Sequence, residues 1–547
     1  MSAEASKSDI EIKVATSGFF TGLSKAVAAT SIAIIVLFLA WILASEQAGE
    51  VLTRIQKLFN GMFGPWYLYV STFYLLTCLG LALWPKSGKV KLGKPDDKPE
   101  FSRFSWFSMM FGAGLGVGML TYAVGEPVFH FKDNPDVIKG LATGLTESNI
   151  RPAFKWTLLH YGLTAWGIYG IVGLVLAYFS YNRGLPLTIR SGLRPLFGQR
   201  LSGWLGHTVD ITAIVATITG VGYTIALGVK QFAFGLHNIS GATWIIPEGA
   251  TEPVLGALFL CLAIILVAST LSAISGVGKG IKWLSNINMS LSFFLLAFFA
   301  VCGLLSGAFL FSFKHYFIAI WDYLINLPVM SVTVWDEAGS VTGANGENVS
   351  EALATWQGPW TILYWAWWIA FAPFVGLFLA RVSRGRTIRE FVVGAMLAPA
   401  LMCLVWFALA GGSALYAELY GNAGGSIVNS DLSAQLFETI NVILTKGSAG
   451  ALAMSIVIVI LLITYLVTSA DSAILVITTI ASGGKSKRRH VKHIIFWGVL
   501  LSAVVGILLA AGGLNALRAA MLIGALPFSF VVALMGVSLL KSLVVDH

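Results

Sequence analysis

Trp365-Ala-Trp-Trp-Ile-Ala-Phe-Ala-Pro-Phe374 is the stretch on which the reading of this chain turns. It packs three tryptophans and two phenylalanines into ten residues. The apolar segment around it starts near Trp360 and ends at a wall of arginines, Arg381, Arg384, Arg386 and Arg389. Aromatic belts of membrane proteins sit at the interface. Trp368 instead lies about ten residues in from each end, close to mid-bilayer by helical rise. Aromatic faces attract cations, and Pro373 denies the backbone one helical hydrogen bond. A buried, aromatic segment broken near 369–374 is therefore expected, and a cation-binding site is favoured over a lipid-facing belt.

The rest of the composition agrees with a membrane setting. Of 547 residues, 57% are hydrophobic and only 11% charged, against about 25% charged in soluble domains. Apolar runs long enough to span, about 18 residues or more, fall near 27–46, 62–84, 105–125, 153–181, 205–236, 253–273, 288–312, 358–380, 390–412, 447–481, 494–512 and 517–540. The fold class is thus an all-α polytopic membrane protein with about twelve transmembrane helices. The polar, mixed-charge N-terminus is no cleavable signal peptide, so the first apolar run acts as an uncleaved anchor.

Loop charge orients the spans. Lys86, Lys89, Lys91, Lys94, Lys98 and Arg103 follow span two, and Arg183, Arg190, Arg194 and Arg200 follow span four. Lys279 and Lys282 follow span six, the arginine wall follows span eight, and Lys485, Lys487, Arg488, Arg489 and Lys492 follow span ten. The segment 237–252 has one-sided polarity without arginine or lysine, and 315–357 likewise has acids but neither base. The positive-inside rule then places both termini in the cytoplasm. The same distribution explains the net charge of +9 without a nucleic-acid partner. Cys78, Cys261, Cys302 and Cys403 are scattered through apolar runs, with neither metal-ligand spacing nor a disulfide framework.

Four stretches carry candidate chemistry. Gly112-Ala-Gly-Leu-Gly-Val-Gly118 puts a glycine at every second position of span three. This run reads either as close helix packing or as an unwound segment; it is not a dinucleotide fingerprint, since no strand precedes it. Span four carries His160, Tyr161, Trp166 and Tyr169. A lone intramembrane histidine is more often hydrogen-bonded structure than a proton relay. Span five carries Asp210, Thr212, Thr217, Thr219 and Thr224, whose hydroxyls either bond back to the preceding turn or ligate a hard cation. Span ten reads Tyr465-Leu-Val-Thr-Ser-Ala-Asp-Ser472; Thr468 and Ser469 suit a sodium ion, and Asp471 suits a structural role. Breaks near 112–118 and 369–374 lie five spans apart. Spans three to seven and eight to twelve then insert in opposite orientations, the inverted five-helix repeat of secondary transporters.

Several of these stretches resemble the betaine/choline/carnitine transporter family along nearly the whole chain. They are Trp360 to Trp368 running on through Phe378-Leu-Ala-Arg-Val-Ser-Arg-Gly-Arg-Thr-Ile-Arg389, His160-Tyr-Gly-Leu-Thr, Val467-Thr-Ser-Ala-Asp-Ser472 and Leu526-Pro-Phe-Ser-Phe530. The fourth-span wording is most similar to bacterial choline transporters. The resemblance implies a neurotransmitter-symporter-like core, usually a homotrimer in the bacterial cytoplasmic membrane among its lipids. It implies a chain divided into an N-terminal cytoplasmic segment (1–26), two peripheral helices (27–104) and a first repeat (105–312). An outer amphipathic helix and loop (313–357), a second repeat (358–540) and a short tail (541–547) follow. It also implies uptake of a quaternary ammonium or sulfonium solute through an aromatic box, with no enzymatic activity and no cofactor beyond a coupling ion.

Carried over by position, the box is Tyr161, Trp166 and Tyr169 with Trp365, Trp368 and Phe371; if that part is helical, Trp367 points elsewhere, as a gate or a packing residue. Gly114, Gly116 and Gly118 border the solute. One sodium site maps to Gly112, Leu115, Tyr465, Thr468 and Ser469. A second maps to Thr217 and Val221, and valine has no ligand oxygen. Phe371 stands where most members carry tryptophan, and Gly118 where choline-type members tend to carry aspartate. A zwitterion brings its own anion, which free N–H groups of an unwound helix can bind. A betaine, carnitine or dimethylsulfoniopropionate type of solute is therefore expected ahead of choline, with sodium symport ahead of a proton-coupled choline transporter or a substrate/product exchanger. Osmosensing members have long charged terminal extensions; the seven residues after 540 imply little osmotic activation. A channel would want a continuous polar pore, an enzyme a nucleophile–base pair or metal ligands, and an amino-acid carrier would not need six aromatics around its ligand.

Overall fold

The computed structural model describes residues 10–114, 116–275, 282–484 and 490–546. Leu115, Lys279 and the basic run 485–489 lie outside these, as do the first nine residues and His547. Helices account for the architecture, and the described residues contain only isolated β-bridges. Ten helices are long and apolar enough to cross a membrane. One of them, Val491–Val545, holds two of the expected spans. Its backbone leaves helical geometry at Gly512 and Gly513, where φ of 60° at Gly513 is open to glycine at little steric cost. Span three is absent from the ten because it is split into Arg103–Gly114 and Val117–Lys132. The sequence expectation of about twelve crossings is met in this way.

The basic loops meet at one end of the bundle. Leu92 N–H donates to the Arg386 carbonyl at 2.7 Å, and Gly385 N–H to Leu92 at 2.8 Å. Arg386 reaches the Phe101 carbonyl at 2.7 Å. Gly93 N–H bonds Asn182 at 3.0 Å, and Lys541 bonds the Pro195 carbonyl at 3.0 Å. The N-terminal segment joins them, with Ser24 N–H on the Ala481 carbonyl at 2.7 Å and Glu11 N–H on Ser202 at 3.0 Å. Each of these contacts joins segments that the charge rule put on one side. The chain is a multi-pass membrane protein, and its charged loops share one face.

Spans three and eight run antiparallel. The start of Arg103–Gly114 lies beside the end of Leu363–Val382, through the Leu92, Phe101 and Arg386 contacts above. At the other end Phe129 and His130 pack on Trp360 at 4.3 and 4.6 Å between ring centres. Opposed directions for the two helices that open the halves are what an inverted repeat requires.

The expected break at 369–374 is absent. Leu363–Val382 is one helix with Pro373 inside it. The irregularity lies about two to three turns earlier, in the π-helical turn Gly358–Ile362. Tight packing holds the proline helix straight enough to persist. A Cβ on Gly376 would come within 2.6 Å of Val172 and 3.0 Å of the Gly173 nitrogen, so the two backbones nearly touch. In membranes neighbouring helices commonly stabilise a proline helix in this manner.

Candidate functional site

A cavity of about 270 Å³ lies between the two halves at the level of the span-three break. Tyr161, Tyr169, Trp367, Trp368 and Phe371 form its aromatic wall. Gly116 and Gly118 line the broken end of span three, and Tyr465, Thr468 and Ser469 line span ten. Met109, Ser285, Asn286 and Phe378 carry the cavity toward the basic-loop face. On the opposite side aromatic rings close it. Tyr122 and Tyr223 pack on Trp367 at 5.8 and 5.2 Å, and Tyr122 packs on Tyr364 at 5.6 Å. The cavity is thus closed on the side away from the charged loops and extends toward them.

Trp368 is the hub of the box. Its ring centre lies 4.7 Å from Tyr169, 5.2 Å from Trp166 and 5.9 Å from Tyr161. Tyr161 and Trp166 are five residues apart, which in an unbroken helix puts them about 140° apart. Gly162 resolves this. Its φ of −87° and ψ of −146° separate helix Ile150–Tyr161 from Leu163–Ala177, and the swivel lets both rings reach one partner. The loosened Tyr161 carbonyl accepts from Trp166 Nε1 at 3.1 Å. Trp166 is fully buried behind Trp368 and braces it without lining the cavity.

Two expectations for span eight are corrected. Trp365 does not line the cavity; its ring faces His160 at 6.2 Å. Trp367 does line it, and its Nε1 donates to Thr224 at 2.9 Å. At about 100° per residue, Phe374, Trp367, Phe378, Phe371 and Trp368 sweep one arc of the intact helix. Trp365 lies about 60° beyond Trp368, outside that arc. The sequence reading took a helical segment to turn Trp367 away from the box; the phase of the intact helix instead puts Trp367 inside the arc and Trp365 outside it.

The glycine run presents two helix ends to the cavity. Gly114 closes one helix and Gly116 is the N-cap of the next, with no side-chain cap. The amino end of Val117–Lys132 therefore offers uncapped N–H groups and the positive end of a helix dipole. A Cβ on Gly116 would meet Ser469 Oγ at 3.3 Å, and one on Gly118 would meet the Trp367 ring at 3.2 Å. A side chain at either position fits only if its neighbour gives by a few tenths of an ångström. The span-ten hydroxyls lie against the same break. Tyr465 bonds Ser292 at 2.8 Å, and Thr468 accepts from Asn288 Nδ2 at 3.2 Å. Gly112 is within the first helix of the break, and Leu115 is outside the described residues.

Thr217, mapped to a second cation site, sits apart from the cavity. Its hydroxyl donates to the Ala213 carbonyl at 2.7 Å, and the side chain is buried away from the cavity. The hydroxyls of Thr212, Thr219 and Thr224 bond back to preceding carbonyls in the same way. Asp210 is paired with Arg190 at 2.7 Å. Asp471 has a structural setting, bonded to Ser272 at 2.5 Å and Ser472 at 3.1 Å.

A buried polar cluster lies on the side away from the charged loops; the sequence reading favoured a hydrogen-bonded His160 but did not name its partners. Glu126 accepts from or shares a proton with His160 Nδ1 at 2.6 Å, and its other oxygen accepts from the Tyr364 hydroxyl. His160 Nε2 bonds Thr361 at 3.0 Å, and its ring stacks on Tyr364 at 4.6 Å. The cluster ties span three to spans four and eight beside the aromatic seal. His130 Nε2 lies 3.4 Å from Glu126, and the three residues offer metal-ligating atoms within 4.8 Å of one another. The available signal was an acid and two histidines inside apolar runs, with Glu126 and His130 one turn apart.

This geometry defines a class: a membrane carrier whose central cavity is walled by rings and helix ends and closed on one side. The comparisons with known proteins narrow it. Residues 26–547 match the BCCT, betaine/carnitine/choline family transporter. The chain is 36% identical over 540 residues to a glycine betaine transporter of Acinetobacter baylyi, covering 97% of this chain and 75% of that one. It is 37% identical over 518 residues to the glycine betaine transporter OpuD of Bacillus subtilis, covering 94% and 93%. It is also 34% identical over 528 residues to the high-affinity choline transport protein of Escherichia coli K12, covering 94% and 72%. Among solved structures, MhsT in complex with L-phenylalanine is similar at 14% identity and a TM-score of 0.45, over 80% of this chain and 89% of that one. The chain belongs to the BCCT family of transporters and is not an enzyme.

Proposed function

We propose that the protein takes up a zwitterionic quaternary ammonium or sulfonium solute of the glycine betaine, carnitine or dimethylsulfoniopropionate type, by sodium-coupled alternating access. The observation that carries this reading is the pairing of opposite polarities across one cavity. The rings of Tyr161, Tyr169, Trp368 and Phe371 suit a methylated cation. The uncapped helix start at Gly116 to Gly118 suits a carboxylate. A cavity near 270 Å³ lies at the small end of ligand sites, which run from roughly 300 Å³ upward. Gly118 supplies no carboxylate of its own, so a solute without an acid leaves the helix end unpaired.

Sodium is supported by the hydroxyls of Tyr465, Thr468 and Ser469 beside the carbonyl end at Gly112 to Gly114, a hard-oxygen set. In transport, binding from the outside would close the Trp367–Tyr122–Tyr223 seal, and release would follow through the side near Met109 and Phe378. The site reading includes a homotrimer in a bacterial cytoplasmic membrane, with both termini on the cytoplasmic side. A proton-coupled choline transporter is the second reading, favoured by the buried Glu126–His160 pair.

Uptake into proteoliposomes separates these readings. Glycine betaine uptake that stops when sodium is replaced, with the proton gradient intact, is the expected result. Unchanged uptake without sodium would remove the coupling ion from the proposal. Choline binding tighter than glycine betaine, carnitine and sulfonium analogues would remove the zwitterion.

A further inference from the structure

The last span carries a cation that the mechanism above does not use. Arg518 lies five residues beyond the Gly512–Gly513 bend. That bend is at the outer end, where Gly512 approaches Gly49 at the start of span two. Arg518 Nε donates to the Tyr223 hydroxyl at 3.2 Å, and the guanidinium carbon lies 5.9 Å from the Tyr223 ring centre. The Tyr223 hydroxyl is in turn 3.3 Å from the Tyr122 hydroxyl. Among the described residues no carboxylate forms an ion pair with Arg518. The protein treats comparable cations differently. Arg190 is paired with Asp210 at 2.7 Å, and Lys230 with Asp431 at 2.9 Å and Glu252 at 3.1 Å.

Ionisable groups inside membrane spans are expensive, and they mark ligand pathways when no structural partner neutralises them. Arg518 is half-buried, and its neighbours are hydroxyls and ring faces. Those neighbours are themselves the outer seal, since both Tyr122 and Tyr223 pack on Trp367. One aromatic layer therefore separates the guanidinium from the solute cavity, on the side from which solute must arrive.

We infer that Arg518 is a carboxylate-docking and charge-selecting residue of an outer subsite. The inference rests on the zwitterion reading above and names the group that enforces it before the solute reaches the central cavity. A guanidinium presents five N–H donors in a fork that fits a carboxylate. With the acid held by Arg518, the methylated head of the same solute falls against the Tyr122, Tyr223 and Trp367 faces. Choline carries a net positive charge and no acid, so the same residue repels it. Opening of the seal then passes the acid on to the free N–H groups at Gly116 to Gly118.

The test compares wild type, Arg518→Gln and Arg518→Lys in proteoliposomes, with glycine betaine and choline as solutes sharing one trimethylammonium head. Loss of a buried partner for a required polar group typically costs tenfold or more in discrimination. Arg518→Gln is therefore expected to raise KM for glycine betaine about tenfold while KM for choline stays or falls. Arg518→Lys should recover part of the preference, because it keeps the charge without the fork. An equal loss for both solutes, or a preference left intact, would overturn the inference. If Arg518→Gln does not fold, wild type is compared on glycine betaine and its methyl ester, which has lost the acid charge, against Arg518→Lys; an unchanged ratio overturns it equally. A wild type that prefers choline would sink the zwitterion reading itself, a result distinct from a wild-type preference that survives in the variants.

Discussion

Spans three and eight open the two halves of this carrier, and they solve opposite problems. Span three is split into one helix ending at Gly114 and another capped at Gly116, and shows the cavity two helix ends. Span eight keeps its helix through Pro373 and shows the cavity ring faces. The glycine-rich span contributes backbone polarity, and the aromatic span contributes π-surface. A zwitterion needs one of each. On the proposed reading, recognition of a dipolar solute is divided between the two repeats, and the backbone break is in one of them only.

The comparison is broken most severely by removing the aromatic hub. A desolvated cation–π contact is worth about 2 kcal/mol or more. Trp368→Ala should weaken glycine betaine binding by about 30-fold or more, read by isothermal titration on purified protein. Trp365→Phe, outside the cavity arc, should leave affinity within about twofold. A larger loss from Trp365 than from Trp368 would invert the assignment of the span-eight face.

The polar side is tested by charge and by ligand loss. Gly118→Asp places a carboxylate where a Cβ already meets Trp367 at 3.2 Å. It should lower glycine betaine affinity about tenfold and improve choline, measured in a competition assay. Ser469→Ala and Thr468→Ala remove hydroxyls of the proposed sodium site. Each should raise the sodium concentration for half-maximal uptake several-fold, with Vmax at saturating sodium little changed.

The smallest effect is expected far from the cavity, at the loop strap. Hydrogen bonds from Arg384 and the Lys94 backbone hold the partly exposed Asp97 carboxyl below its usual range. A depressed folded value means that the stabilisation is present above the unfolded value, about 3.9, and is lost as pH falls through the folded one. Faster amide exchange at Leu92 and Gly385 below that range is the expected readout, with Asp97→Asn showing it already at neutral pH.

Much of this was legible in the sequence because membranes restrict the alternatives. Run length and the basic loops gave the spans and their grouping on one face, and the glycine run marked a real break. The aromatic wall was legible in part. Tyr161, Tyr169, Trp368 and Phe371 meet at the cavity, but which tryptophans of 365–368 face it depends on helix phase. Pro373 misled there, because inter-helix packing at Gly173 and Gly376 overrides what proline does to an isolated helix. Thr217 was legible only as a hydroxyl in an apolar span, and its bond to the turn before it is a common habit of helical threonine that Thr468 shares. The Glu126–His160 bond and the placement of Arg518 join residues 34 apart and 295 apart. No local pattern carries such pairings; they exist only once the halves are packed together.

The central claim is that one cavity reads a positive and a negative end at once. Its most direct measurement is isothermal titration of purified protein, in sodium, with glycine betaine and with choline, for wild type, Trp368→Ala and Gly118→Asp. The account predicts that wild type prefers glycine betaine, that Trp368→Ala loses both solutes, and that Gly118→Asp loses glycine betaine while gaining choline. Equal responses of both solutes to Gly118→Asp, or affinity untouched by Trp368→Ala, would contradict it.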